Sequence, residues 1–171
     1  MAESDAFTLF VGKVFLGCRA LELALRDFLR ELDRPGSSMA DLAALPPGSV
    51  GQTVASSVRT NPDSLRQLIA KFNATVTDAK QGGLAIDPGL ADARDLLVEG
   101  RTWGSDAQPP LRTVRFSIPT YGLVRCESDE MMDLTWLETA EGRVRDALTK
   151  VDEARQAIQP ESWAPVRPRA S

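Results

Sequence analysis

The chain has 171 residues, 24 acidic against 20 basic side chains and no histidine, for a formal net charge of −4. That length suits a single domain able to bury roughly 70% of the surface its unfolded form exposes, so a core needs no staples. The negative balance argues against wholesale coating of phosphate backbones, which depends on clustered Lys and Arg. All but four of the basic residues (Lys13, Lys71, Lys80, Lys150) are arginine, the side chain suited to bidentate contacts with anions.

The acidic start Met1-Ala2-Glu3-Ser4-Asp5 is unlike a secretion signal, and no apolar run approaches the roughly 18 residues of a membrane span. Cys18 and Cys126 lie far apart in unlike contexts and read as reduced thiols. A cytoplasmic protein without a membrane segment is therefore expected.

From about Asp5 to Asp33, Phe7, Val11, Val14, Cys18, Leu21, Leu25, Phe28 and Leu32 recur at steps of four and three, which predicts one long helix ended by Arg34-Pro35-Gly36. Residues 34–61 are rich in Pro, Gly and Ser and predict a loop with short helical turns, anchored by Leu42, Leu45, Val50 and Val54. After Asn61-Pro62-Asp63, the spacing of Leu65, Leu68, Ile69, Phe72 and Val76 predicts a second helix that Gln81-Gly82-Gly83 breaks. Asp87-Pro88 reads as an N-cap with proline at the first helical position, opening a third helix that stops near Gly100.

Residues 113–118 and 123–127 alternate in polarity around Pro119-Thr120-Tyr121-Gly122, the pattern of a β-hairpin lying within about 111–128. A last helix is expected from Asp133 or Thr135 to Ile158, with Thr135 and Glu138 as a capping box and Leu134, Leu137, Val144, Leu148, Val151 and Ile158 as its buried stripe. The predicted fold is mainly α: one domain over 1–158, like a four-helix bundle, with a small antiparallel hairpin before the last helix. Residues 159–171, proline-rich and containing Trp163, are expected to form a disordered tail.

No glycine-rich phosphate loop and no Cys or His cluster with metal spacing is present. Chemistry is concentrated on the third helix. At 100° per residue, Leu90, Arg94, Leu97 and Arg101 share one face, and Asp92, Asp95 and Glu99 the opposite one. Guanidiniums on an apolar stripe need partners, because a buried unpaired charge costs several kcal/mol. Glu22, on the first helix beside Cys18 and Leu25, is the expected partner of Arg94 or Arg101.

Such a pair either fixes helix register or leaves Arg94 to hold an anion. Glu99 reads as a solvated helix end, a partner for an arginine across a dimer cleft, or a general base. The three carboxylates read as a solvated face or, less simply, as Mg²⁺ ligands. Trp103 reads as a core residue or as a platform for a base.

Glu22, the stretch Arg94-Asp95-Leu96-Leu97-Val98-Glu99-Gly100-Arg101, Pro110-Leu111-Arg112, Arg115-Phe116 and Met132-Asp133-Leu134-Thr135-Trp136-Leu137 together resemble bacterial members of the HEPN-like superfamily, over about residues 6–155. The resemblance implies a four-helix bundle that dimerises, and its active members are metal-independent endoribonucleases with an Arg-x4-His type of motif. Arg94 matches the motif arginine, whereas Glu99 stands where the histidine belongs.

Cleavage of this kind has the RNA 2′-hydroxyl attack the adjacent phosphate. It needs a group titrating near neutrality and a cation at the phosphorus. Arg94 meets the second need, but a glutamate with an ordinary pKa of about 4.3 does not meet the first.

The resemblance therefore implies a catalytically degenerate homodimer that binds RNA or a cognate protein partner through Arg94, Arg101 and Trp103, in a defence or toxin-antitoxin setting. Two alternatives stand beside it. One is a weak metal-independent endoribonuclease using Arg94 with Glu99 or Arg101, and the other is a purely structural interaction module. Neither a cofactor nor a metal is expected.

Overall fold

A computed structural model describes residues 3–33, 62–103 and 109–158. Over these residues the chain is mostly helical, with a small antiparallel sheet placed before the last helix. In chain order the elements are α1 (Glu3–Asp33), α2 (Leu65–Asp78), a 3-10 turn (Gly82–Leu84), α3 (Gly89–Glu99), β1 (Arg101–Trp103), β2 (Leu111–Phe116), β3 (Cys126–Met132) and α4 (Leu134–Ala157). The expectations for the 34–61 connection, with Leu42, Leu45, Val50 and Val54, and for the 159–171 tail, with Trp163, lie outside the described residues.

The predicted seam of α1 is the middle of the core. Phe7, Val14, Cys18, Leu21, Leu25 and Phe28 are buried, and Val11 and Leu32 pack partly against them. Its closest companion is α4, which buries Leu137, Ala140, Val144, Ala147, Val151 and Ala154. Alternating large and small residues on that stripe let the two helices approach closely. At their crossing a Cβ on Gly17 would lie 2.7 Å from Val144 Cγ1, so glycine is what the contact admits. Arg155 Nε donates to Glu31 Oε2 at 2.9 Å, which together with the Gly17 contact sets α1 and α4 running in the same direction.

Helix α2 begins at a capping box. Ser64 accepts from the Gln67 backbone, and Gln67 Oε1 accepts from the Ser64 backbone at 2.8 Å. The five residues expected on its inner face are the five it buries. Phe72 meets Phe28 edge to face at 5.1 Å between ring centroids. The link to α3 is tied down by Asn73, whose side-chain amide exchanges two 2.8 Å hydrogen bonds with the Ile86 backbone, and by Lys150 donating to the Ala85 carbonyl.

Asp87 performs the predicted capping task at α3, accepting from the Gly89 N–H at 2.8 Å, although the regular helix starts one residue later than expected. The last helix is capped by Asp133, which accepts from the Trp136 N–H at 2.7 Å. The expected Thr135 and Glu138 box gives way to it because Thr135 already lies inside the first turn, where its carbonyl accepts from the Thr139 hydroxyl.

The expected hairpin is present with shifted strands and gains a third one. The sheet order is β1-β2-β3, with Arg101 opposite Val114 and Leu111 opposite Met132. The turn sits where the sequence placed it. Thr120 and Leu123 pair through two backbone hydrogen bonds, with Tyr121 (φ 51°) and Gly122 (φ 77°) between them in the left-handed region that a two-residue hairpin loop requires. No helix among the described residues is long and apolar enough to cross a membrane.

Candidate functional site

The two ends of the expected motif do lie side by side, but in a setting the helical wheel did not foresee. The buried face of α3 is Leu90, Ala91, Ala93 and Leu96, with Leu97 only partly covered. Arg94 therefore occupies the shoulder of the helix rather than its centre, with 27% of its side chain exposed.

Arg101 does not continue that face. Gly100 leaves the helix with an extended backbone, and a Cβ there would overlap both the Leu96 carbonyl oxygen and the Thr113 methyl group. The chain consequently turns into β1, where Arg101 is an exposed strand residue. Trp103 is the last residue of that strand, and the expectation for its side chain lies outside what is described.

Arg94 Nη1 lies 2.9 Å from Asp95 Oδ1 and 3.9 Å from Glu99 Oε1. Asp95 is shared, since its Oδ2 is 3.5 Å from Arg115 Nη1. Arg115 also meets Glu127 at 3.3 Å and Asp92 at 3.5 Å, and Asp92 accepts from Arg66 at 2.5 Å. One connected network thus joins α2, α3, β2 and β3. It sets the three guanidiniums of Arg66, Arg94 and Arg115 against the four carboxylates of Asp92, Asp95, Glu99 and Glu127, and carries one negative charge in excess. Arg115 is the most buried of the three arginines, and its Nε is buried without a hydrogen-bond partner.

Glu22 is not the partner of Arg94 or Arg101. It pairs with Arg19 at 3.0 Å and with Arg26 at 3.1 Å, residues of its own helix at i−3 and i+4. Those neighbours need no tertiary rearrangement to reach it, and the local pairs prevail. Arg26, which is buried, continues to the Asp63 carbonyl at 2.7 Å and so ties α1 to the start of α2.

The α1 residue that does sense Arg94 is Cys18. Burial pushes its thiol from 9.0 up to about 11; the Arg94 charge opposes the shift and Asp95 adds to it.

The carboxylates considered as Mg²⁺ ligands are engaged by guanidiniums, and among the described residues no group of three or more His, Cys, Asp or Glu is arranged to hold a metal ion. Glu99 is the most exposed of the network carboxylates at 58%.

Arg66, Arg115 and Glu127 are the network members to which the sequence reading gave no role. A signal for Arg115 was present. Alternation along β2 puts it on the same side as Thr113, the residue whose methyl faces Gly100, and hence towards α3. The opposite side of the strand contributes Arg112, Val114 and Phe116 to a hollow of about 380 Å³ completed by Cys126 and Asp129. Arg112 forks onto Asp129 there, and that hydrogen bond holds the Asp129 carboxyl below its ordinary value.

Chemically, the arrangement offers an arginine already paired with carboxylates at close range, in a chain without histidine. Comparison with protein-family models, with curated proteins and with solved structures returns no match to this chain.

Proposed function

We propose that this chain is a non-catalytic protein-binding module, a HEPN-like helical domain in which the nuclease site has been closed. The observation that carries the reading is the pairing of Arg94 with Asp95 at 2.9 Å and with Glu99 at 3.9 Å, in a chain without histidine. A phosphate approaching Arg94 must displace a carboxylate 2.9 Å away and enter a network with excess negative charge. Both terms oppose RNA more strongly than they oppose a protein surface.

Several large apolar side chains are also left outside the core, among them Leu16, Leu23, Ile118, Tyr121 and Leu123. Ile118, Tyr121, Leu123 and Val124 fall within one turn of the hairpin, and clustered exposed apolar side chains mark protein contacts.

The test is a titration of a fluorescein-labelled single-stranded RNA at low salt, followed by anisotropy. The reading predicts no saturable binding in the micromolar range. Salt-dependent binding that disappears in an Arg94→Ala, Arg101→Ala protein would overturn it in favour of an RNA-binding role.

A further inference from the structure

Helix α1 has two apolar faces. The inner one packs against α4, α2 and α3, while Leu9 (46% exposed), Phe15 (42%), Leu16 (67%) and Leu23 (61%) stand on the outer side. Leu9, Leu16 and Leu23 recur every seven residues, so at 100° per residue they fall within about 20° of one line along the helix. Their spacing along that line is about 10.5 Å, the heptad repeat with which one helix meets another. Side chains on one face of a strand recur at about 6.7 Å instead, so the ridge matches a helix and not an extended peptide.

Gly12 and Ala20 lie about 40° to either side of the line, between the leucines. Glycine inside a helix is unfavourable, and the fold has no use for Gly12, since a Cβ there would meet nothing within 4 Å. It leaves a notch between Leu9 and Leu16 into which a side chain of a neighbouring helix can drop.

The charges beside the ridge select the occupant. Lys13 and Arg19 are exposed and stand about 60° from the line, one on each flank, within one turn of Leu16. The Lys13 ammonium lies 4.5 Å from the centre of the Phe10 ring and has no carboxylate partner among the described residues. Glu22, the only carboxylate between Lys13 and Asp27 on this helix, is already shared by Arg19 and Arg26. Asp5 and Asp27 stand at the two ends of the ridge, and its middle is cationic.

We propose that the Leu9, Leu16 and Leu23 ridge is the docking surface for an amphipathic helix of a different protein, one that carries carboxylates on both flanks of its own apolar stripe. This proposal rests on the protein-binding reading above and names the kind of partner. The leucines supply the buried centre of the contact, and the partner's carboxylates facing Lys13 and Arg19 fix its register. A second copy laid along the same ridge, leucine against leucine, would gather four cations around the two Leu16 side chains with Glu22 already engaged. Like-charge juxtaposition of that kind is how specific helix pairs exclude a wrong partner.

The experiment is fluorescence anisotropy of two labelled 21-residue amphipathic peptides titrated with the full chain. One has leucine at heptad positions a and d with glutamate at e and g, and the other has lysine in place of every glutamate. The native chain is expected to bind the glutamate peptide saturably and the lysine peptide at least tenfold more weakly. Leu16→Asp should remove binding of the glutamate peptide, and the Lys13→Glu, Arg19→Glu protein should reverse the preference. All three substituted positions are exposed, and circular dichroism checks that the fold is retained.

No saturable binding of the glutamate peptide, equal affinity for the two peptides, or a preference that the charge reversal leaves unchanged would each overturn the proposal. So would a native dimer in sedimentation equilibrium that Leu16→Asp returns to 18.6 kDa, because the occupant would then be a second copy. None of these outcomes involves RNA, so they are distinguishable from failure of the protein-binding reading, which falls on its own titration.

Discussion

Two seams run through this molecule and are held by different physics. Between α1, α2 and α4 the contact is apolar and close, with Phe28, Phe72, Leu21, Leu25, Leu68 and Leu137 all shut off from solvent. Between α3 and the sheet it is a lattice of partly exposed charges, in which each guanidinium of Arg66, Arg94 and Arg115 meets at least one carboxylate. The first seam fixes the fold, because area removed from water scales with what is buried. The second decides what the surface can bind, because it sets which charges remain free.

The contrast is broken most severely in the apolar seam. Phe72→Ala removes a fully buried ring and its edge-to-face contact with Phe28, and is expected to cost about 3–5 kcal/mol, measured as a lowered denaturant midpoint. If the loss were below about 1 kcal/mol, the described core would not be the one that holds the fold.

A pH titration tests the point where the seams touch. The Cys18 thiol is raised from 9.0 to about 11, so the folded state retains its proton where the unfolded chain loses it. That contribution is fully present below pH 9 and is lost as pH rises from 9 to 11, a loss of at most about 2.7 kcal/mol at 1.36 kcal/mol per unit. A Cys18→Ala protein should show a shallower decline over that window, and an unchanged slope would remove Cys18 from the account.

The charged seam is expected to respond more weakly in stability and more clearly in binding. Asp95→Asn removes the negative charge 2.9 Å from Arg94 and leaves it the Glu99 carboxylate at 3.9 Å, while Arg115 keeps Asp92 and Glu127. About 1 kcal/mol of stability should be lost, since the groups are half-buried and screened. The same variant should bind single-stranded RNA measurably better than the native chain, because it removes the charge that neutralises the guanidinium. Equal affinity in the two proteins would mean that Asp95 is not what keeps Arg94 from anions.

The two seams also differ in how far they can be read from sequence. Steps of three and four announced α1, α2 and α4, because a buried helix face leaves a periodic trace. Strand β1 left none, being three residues long and joined directly to α3. Helical spacing puts Arg94 on one face and Asp95 and Glu99 on the opposite one, yet the Arg94 guanidinium lies 2.9 Å from Asp95 and 3.9 Å from Glu99. Spacing could not show Asp95 closing on Arg94, because a wheel fixes the direction of Cβ atoms and not the sideways reach of a guanidinium. The helical wheel extends the Arg94 face to Arg101, because nothing in the local pattern says that Gly100 must fit between the Leu96 carbonyl and Thr113, a packing fact supplied by another strand. An apolar stripe points Glu22 towards a distant arginine, but Arg19 and Arg26 stand within about one turn of it and take it.

Arg94 is held by Asp95 and Glu99 in a chain that has no histidine. The most direct measurement is the cleavage of a defined single-stranded RNA, in EDTA at neutral pH, by the native chain and by Arg94→Ala. The account predicts intact RNA with both proteins after prolonged incubation. Cleavage by the native chain that vanishes on Arg94→Ala would contradict it.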